Sequence, residues 1–231
     1  MSSNAPHAAQ DPVQQTPRDI VTPDDLSTWE LAWTKGVTPW DAGDVQPSLR
    51  EALGSSALKI PSTGRALVPG CGSGYDLPYI ASVTGLDTLG LEVSETAVKR
   101  ASEEIEKFKG KTQKPSSLKA SIELHDFFQF TPPQGEEFEL VYDHTFFCAI
   151  PAFMRNDWGK KMAEFVKPDG YLITICYPML PYTETGPPYY LRPEHYDTPL
   201  GSNFVKILDK VPEKSSESHE GKERLIIWRR V

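Results

Sequence analysis

The chain has 231 residues, of which 39% are apolar, and its formal net charge is −8 at pH 7. This size and composition suit one domain with a full core, and the acidic balance argues against a nucleic-acid surface, which needs clustered lysine and arginine. No run approaches the ~20 apolar residues of a membrane span, so no membrane partner is expected.

The first segment, residues 1–20, is polar and rich in proline, glutamine and alanine, and it lacks the apolar stretch of a secretory signal. It is predicted to be a disordered tail. Residues 21–231 are predicted to form a single domain, whose first part, residues 21–54, is helical.

Two helices are predicted at the start of this domain. The first begins at Thr22, which forms a capping box with Asp25, and has Pro23 as its first residue. It ends before Gly36, a common residue after the last turn of a helix. Three apolar side chains recur at helical spacing and share one face: Leu26, Trp29 and Trp33. A loop with Trp40 follows, and the segment QPSLREALG is predicted to be a short second helix.

Beyond this region strands alternate with helices. The predicted strands cover residues 65–68, 88–93, 121–124, 138–142, 171–176, 204–208 and 225–228. Helices are predicted from near Tyr75, from the cap Ser94 to Gly110, and at Trp158–Val166, with KPDG as a turn after the last of them. The alternation predicts a doubly wound α/β fold with helices on both faces of a parallel sheet. Ligands of such folds bind at the carboxyl ends of the strands.

The three cysteines, at 71, 148 and 176, are widely spaced. They form neither a disulfide framework nor a metal-binding pair, so no metal site is predicted. We expect reduced, buried thiols, as in a cytoplasmic protein.

A glycine-rich segment, VPGCGSGYD, directly follows the first predicted strand. Gly70 and Gly72 match the start of the G-x-G-x-x-G fingerprint of dinucleotide-binding folds, but Tyr75 stands at the third position. The chain has no G-x-x-x-x-G-K-[ST] phosphate loop either. Free N–H groups before a helix favour a nucleotide-type ligand, and the spacing argues against a pyrophosphate.

Two acidic residues follow later strands. Glu92 ends the second strand, where a carboxylate accepts hydrogen bonds from ribose hydroxyls in nucleotide-binding folds. Asp126 follows the third strand and is predicted to accept from the exocyclic amine of adenine, with Phe127 packing against the ring. Together with the glycines these residues predict an adenosine pocket without a pyrophosphate clamp, which suits S-adenosylmethionine.

Several longer blocks resemble the thiopurine S-methyltransferase superfamily, and within it most of all the thiol, halide and thiocyanate methyltransferases of plants and fungi. They extend from about Trp29 to the C-terminus and read WELAWTKGVTPWDAG, GRALVPGCGSGYD, GLEVSETAV, YDHTFFCAI, MRNDW, KPDGYLITICYP and GPPY. The resemblance implies a class I methyltransferase fold, with seven mainly parallel strands and an antiparallel last pair. It also implies S-adenosylmethionine as methyl donor and S-adenosylhomocysteine as product.

The resemblance also assigns cofactor-binding residues. In the family the tryptophans of the first block cover the cofactor, so residues 21–54 are expected to form a lid. At the ribose the family usually has aspartate, and here Glu92 stands there. The positions carried over to this chain are Trp29, Trp33, Trp40, Gly70, Gly72, Glu92, Asp126 and Phe127.

The acceptor side departs from the family at one position. Close relatives carry tyrosine where this chain has His144, after the fourth strand. With an ordinary pKa near ~6.5, His144 is a candidate to hydrogen-bond the acceptor or take a thiol proton, or it only changes the shape of the pocket. Tyr177, at the end of the fifth strand, is the second candidate catalytic residue. The expected reaction is methyl transfer to the sulfur of a small-molecule thiol.

Three other functions stay open at this point. The same fold methylates halide or thiocyanate ions, so a small anionic nucleophile is the nearest alternative acceptor. An NAD-dependent oxidoreductase is disfavoured by Tyr75 in the glycine loop. A non-catalytic binding protein would keep the fold and lose turnover. Nothing in the sequence requires more than a monomer.

Overall fold

The computed structural model describes residues 15–22, 24–113 and 115–231. Within them lies one seven-stranded sheet with the order β3-β2-β1-β4-β5-β7-β6. The strands are β1 (Arg65–Pro69), β2 (Asp87–Glu92), β3 (Ala120–Leu124), β4 (Phe138–His144), β5 (Val166–Cys176), β6 (Phe204–Lys210) and β7 (Arg224–Arg230). Strand β7 runs antiparallel to both of its neighbours, whereas the pairs from β3 to β5 are parallel. The predicted fold class and its antiparallel last pair are confirmed.

Helices pack on both faces of this sheet. They are α1 (Ser27–Lys35), α2 (Pro47–Leu53), α3 (Asp76–Thr84), α4 (Glu95–Lys111), α5 (Arg155–Phe165) and the one-turn α6 (Asp197–Leu200). Successive residues of β4 point to different faces of the sheet and enter different cores, with Val141 in one and Leu140 in the other. The first core contains Trp158 of α5, and the second contains Leu49 of α2 and Ile80 of α3. Both faces are therefore covered, as a parallel sheet requires.

The end of α5 leads directly into β5, where KPDG was predicted to be a turn. These four residues instead belong to the long strand β5, as an irregularity in its pairing with β4. Val166 pairs with Phe138 and Tyr171 with Leu140, so the extra residues bulge out, and Asp169 adopts a left-handed φ of 62°. The prediction of a separate turn was wrong because the chain keeps its strand pairing on both sides of the bulge.

Helix α1 begins later than predicted. The start at Thr22 was wrong: Asp25 Oδ1 accepts hydrogen bonds from the backbone N–H and hydroxyl of Ser27, at 3.0 and 2.6 Å, and the helix starts there. Pro23 lies outside the described residues. The end was correct, since Gly36 adopts the left-handed conformation that closes the helix.

The predicted tail, residues 1–20, lies mostly outside the described residues. Its last part is folded in the structure: Pro17–Asp19 forms a short 3-10 helix, and Pro17 and Ile20 are buried. The domain therefore includes residues a few positions before the predicted boundary. Among the described residues, no helix has both the length and the apolar character needed to cross a bilayer.

Two helical glycines provide an internal comparison for stability. A methyl group at Gly159 on α5 would collide with the backbone of Pro199 on α6, whereas one at Gly110 on α4 would meet nothing within 4 Å. We expect Gly110→Ala to raise the free energy of unfolding by about 0.5–1 kcal/mol, because alanine is the better helix former. Gly159→Ala should lower it by about 1–3 kcal/mol, because the overlap outweighs that gain. Urea unfolding of both variants tests this, and equal shifts would contradict the close α5–α6 contact.

Candidate active site

A cavity of about 690 Å³ opens at the carboxyl ends of β1, β2, β4 and β5. Its volume lies within the ~300–1,000 Å³ typical of small-molecule sites. Its walls come from helix α1 with the residues before and after it, the glycine loop, the end of β2, the loops after β3, β4 and β5, and the loop between β6 and β7. The main cavity, as we call it, lies where the sequence places the ligand.

The glycine loop forms the floor of this cavity next to β1. Gly70 and Gly72 have φ of 53° and 55°, which side-chain-bearing residues rarely adopt. A Cβ atom at Gly70 would strike the ring of Phe146, and one at Gly72 would lie 3.3 Å from Trp33. The two glycines therefore let aromatic rings approach the loop closely, and Gly70 itself lines the main cavity.

Three tryptophans form one side of the main cavity. Trp40 packs edge-on against Trp29 and Trp33, with ring centroids 5.4 and 6.0 Å apart. All three rings line the cavity, and so does Leu26 from the same face of α1. The apolar face predicted from Leu26, Trp29 and Trp33 therefore borders the main cavity. It also contributes to the protein interior, since Trp33 is only 2% exposed.

Helix α1 is held over the sheet by Glu30, a residue that the sequence analysis did not single out. The Glu30 carboxylate accepts from the hydroxyl of Ser94 at 2.5 Å and from the backbone N–H and hydroxyl of Thr96 at 3.0 and 2.7 Å. The hydrogen bond from Ser94 is the main reason that the pKa of Glu30 is lowered. These contacts join α1 to the first turn of α4, where negative charge is favoured.

Glu92 lies at the wall of the main cavity, at the end of β2, and is 7% exposed. Its Oε2 accepts from the backbone N–H of Gly72 at 3.0 Å, and its Oε1 from those of Val93 and Ser94 at 2.8 and 3.1 Å. Burial raises its pKa, while the three N–H donors act in the opposite direction. The carboxylate therefore fixes the glycine loop against the start of α4.

The pair predicted to bind adenine, Asp126 and Phe127, also lies at the main cavity. Asp126 lines the main cavity, and its Oδ1 accepts from the backbone N–H of Phe128 at 2.9 Å. Phe127 also lines the cavity, but it is 2% exposed and packs mainly into the core, 5.3 Å from Phe165. Phe128 is only half-buried and borders the same space, so the structure adds a second ring that the sequence analysis did not name.

The two candidate catalytic residues lie in different places. Tyr177 lines the main cavity, whereas His144 does not line it and lies behind this wall. The Nε2 of His144 is 2.9 Å from the Nε2 of His219, and the ring of His219 stacks on Tyr177 at 3.6 Å. His219 comes from the loop between β6 and β7, where the sequence showed only a polar connection.

Both imidazoles are kept neutral by burial. Burial and the neighbouring His219 lower the pKa of His144 to about 3, and burial together with Lys222 lowers the pKa of His219 to about 4. A contact between two ring nitrogens needs one N–H and one lone pair, which two neutral rings supply. Burial also raises the pKa of Tyr177, so its phenol stays protonated at neutral pH.

The same loop supplies a positive charge. Lys222 lines the main cavity, and its ammonium group donates to the carbonyl of Ser218 at 3.4 Å. Among the described residues around the cavity it is the sole lysine or arginine, and it shares the lining with the carboxylates of Glu92 and Asp126. Its charge therefore favours an anion in its part of the cavity. This feature had no local signal in the sequence.

The main cavity also has an apolar wall. Leu180, Pro187 and Pro188, from the proline-rich segment after β5, line the main cavity. Tyr182, in the same segment, is instead 70% exposed and does not border the cavity. Phe153 lies at the mouth and is 73% exposed. An acceptor with an apolar body would find contacts here.

A second, much smaller cavity of about 50 Å³ lies beside the glycine loop. It shares Trp40, Gly70 and Thr145 with the main cavity, so the two adjoin. Asp76, the first residue of α3, and His144 also line it. We call it the side cavity.

Comparisons with known proteins show which family and fold this chain shares. The chain is 37% identical over 206 residues to thiocyanate methyltransferase 1 of Brassica oleracea, covering 88% of this chain and 84% of that protein. It is 35% identical to probable thiol methyltransferase 2 of Arabidopsis thaliana, covering 87% of this chain and 84% of that protein. The solved structure of magnesium protoporphyrin IX methyltransferase from Synechocystis shares the fold, with a TM-score of 0.64, 14% identity, and 87% and 97% of the two chains covered.

The family model described as thiopurine S-methyltransferase matches residues 24–229. This match spans nearly the whole described domain and includes every residue that the sequence assigns to the site. The resemblance drawn from the sequence blocks is confirmed, and the chain belongs to the thiopurine S-methyltransferase family.

Proposed function

We propose that this protein is an S-adenosylmethionine-dependent methyltransferase that methylates the sulfur of a small-molecule thiol. One observation carries the proposal: a single cavity is lined by Gly70 of the glycine loop and the buried carboxylate of Glu92, and also by Lys222, Tyr177 and an apolar wall. We assign the first group to an adenosine ligand and call it the first end, and we assign the second group to an anionic sulfur atom and call it the second end. The three cysteines are free thiols, which fits the proposed cytoplasmic location.

The residues at the first end fit S-adenosylmethionine. Glu92 offers a carboxylate for ribose hydroxyls, and Asp126 offers one for an exocyclic amine. The rings of Trp29, Trp33 and Trp40 favour a nearby cation and exclude water. When bound, S-adenosylmethionine supplies a methyl group that its sulfonium centre makes electrophilic.

At the second end, the protein's own contribution is to hold the acceptor as a thiolate. Free thiols have a pKa of about 8.5, and a nearby ammonium group lowers it. Lys222 is placed to do this, and solvent takes the proton. Tyr177 stays protonated, and its O–H, which donates to the carbonyl of Ser218 at 3.4 Å in the free protein, would turn to donate to the sulfur atom. His144 supports this wall through His219 and does not act as the base.

Thiocyanate or halide is the second candidate acceptor. The charge of Lys222 suits any small anion, and two of the relatives are named thiocyanate methyltransferases. The apolar wall of Leu180, Pro187 and Pro188 has no role with a bare ion, however, which favours a thiol with an apolar body.

The cofactor site is tested by calorimetric titration with S-adenosylmethionine and S-adenosylhomocysteine. We expect Glu92→Gln to weaken both at least about tenfold, because it removes a charged acceptor of ribose hydrogen bonds. Glu123→Gln on the neighbouring strand β3, where the side chain is exposed, is the matched control and should bind as the wild type does. Binding without methylation of any thiol, thiocyanate or iodide would instead support a non-catalytic binding protein.

The acceptor end is tested with Lys222→Met. We expect KM for thiols and thiocyanate to rise about two- to fivefold at low salt with a smaller change in kcat, because an exposed charge contributes modestly and is screened by salt. Lys222→Arg should retain most of the affinity. Lys214→Met, in the same loop, is the control. An unchanged KM in Lys222→Met would remove Lys222 from the acceptor site.

The neutral histidine pair predicts a pH dependence of stability. Because the folded-state pKa values, about 3 and about 4, lie below the unfolded value, folding should lose stability as pH falls below ~6.5. Between pH 7 and 5 the loss should be about 2 kcal/mol for each histidine. Urea unfolding of the wild type and of the double variant His144→Gln, His219→Gln measures it. Parallel pH profiles for the two proteins would show that the pair is not held neutral.

A further inference from the structure

The side cavity contains a carboxyl oxygen that lacks a partner. Oδ1 of Asp76 is buried and makes no hydrogen bond with any described residue. Such an oxygen is costly to bury, so nearly all of them in folded proteins are satisfied by protein, water or ligand. Asp76 lines the side cavity, whose volume of about 50 Å³ leaves room for a small group in contact with it. The side cavity therefore contains a hydrogen-bond acceptor, Oδ1 of Asp76, to which no described group donates.

The charges around the side cavity favour a cation. Asp41 and Asp44 line it together with Asp76, and Arg50, 3.1 Å from Asp44, is the nearby positive charge. The remaining titratable neighbours are neutral near pH 7. Burial raises the pKa of Cys71, Tyr75 and Tyr142 and lowers that of His144. The carboxylates outnumber the guanidinium, so the field inside is negative.

The position of the side cavity indicates which cation would enter it. It adjoins the main cavity through Trp40, Gly70 and Thr145, on the glycine-loop side. Cys71 lies close enough to both Glu92 and Asp76 that each carboxylate raises the pKa of its thiol. The two acids thus flank one loop, with Glu92 on the ribose side. The part of S-adenosylmethionine beyond the ribose is an amino acid with a free ammonium group.

We propose that Asp76 is the counter-ion of the α-ammonium group of S-adenosylmethionine and S-adenosylhomocysteine, received in the side cavity. This inference rests on the proposed cofactor site. The room available suits an ammonium group with one or two waters, at ~10–15 Å³ for each. An ammonium group supplies three N–H donors and a positive charge, which is what the unpartnered oxygen and its negative surroundings lack.

A measurable consequence is proton release on binding. Burial, with Asp44 nearby, raises the pKa of Asp76 to about 7 in the free protein, while Arg50 opposes the shift. Near pH 7 the carboxyl group is therefore protonated about half the time. A bound ammonium group favours the carboxylate, so the carboxyl O–H proton passes to the buffer. Affinity should rise with pH through this range and level off above it.

The experiment is calorimetric titration at pH 7 in buffers with different enthalpies of ionisation. S-adenosylhomocysteine should release about half a proton. 5′-Methylthioadenosine, which has the adenosine and the sulfur but no amino-acid end, should bind without release. Asp76→Asn should weaken S-adenosylhomocysteine by at least about tenfold and abolish the release, while the affinity for 5′-methylthioadenosine stays unchanged. Asp87→Asn, an exposed aspartate at the start of β2, is the charge control.

Each outcome decides the matter. Equal proton release with both ligands, or unchanged affinity of Asp76→Asn for S-adenosylhomocysteine, would overturn the role of Asp76 and leave the proposed function intact. Failure of both ligands to bind the wild type would overturn the proposed cofactor site itself. If Asp76→Asn does not fold, the comparison of the two ligands on the wild type still tests the proposal, because proton release requires no variant.

Discussion

The buried carboxylate of Glu92 is the interaction on which the site depends. It accepts hydrogen bonds from three backbone N–H groups, one in the glycine loop and two in the segment that leads into α4. Those N–H groups come from parts of the chain that two different strands deliver to the same edge of the sheet. The carboxylate thus gives the loop after β1 and the segment after β2 a shared hydrogen-bond partner. A residue expected to bind a ligand thus also determines the shape of the ligand's site.

The same edge holds a second buried carboxyl group, that of Asp143. Burial raises the pKa of Glu92 and Asp143, and that of Asp143 reaches about 6. Asp143 receives the indole N–H of Trp158 at 2.9 Å and the backbone N–H of Phe147 at 3.1 Å. These bonds orient the loop after β4, which forms a wall of the main cavity. Carboxylates are therefore used structurally on both sides of the space that the ligand would occupy.

The parts of the fold that the sequence predicts are those with local signals. Strand cores such as Phe138–Tyr142, the cap at Ser94 and the glycine loop all carry patterns within a few residues, and the structure contains them. The predicted start of helix α1 was too early because Thr22 and Asp25 match a local capping pattern, whereas Asp25 instead accepts hydrogen bonds from Ser27, the first residue of the helix. The bulge in β5 was not predicted, because the sequence Pro-Asp-Gly is typical of a turn and does not show that strand pairing continues on both sides of it.

The acceptor end shows why local patterns stop short of a mechanism. The sequence indicates His144 as a candidate catalytic residue, but its environment is determined by His219, which lies 75 positions away in the chain. Burial lowers the pKa of both rings, so His144 is neutral near pH 7 and lacks the positive charge that a histidine at this place in the sequence could carry. Lys222, in contrast, has no unusual neighbours in the sequence and gains its importance only because the loop between β6 and β7 reaches the main cavity. A positive charge at that point favours a thiolate without any base, which makes a neutral histidine at position 144 compatible with catalysis.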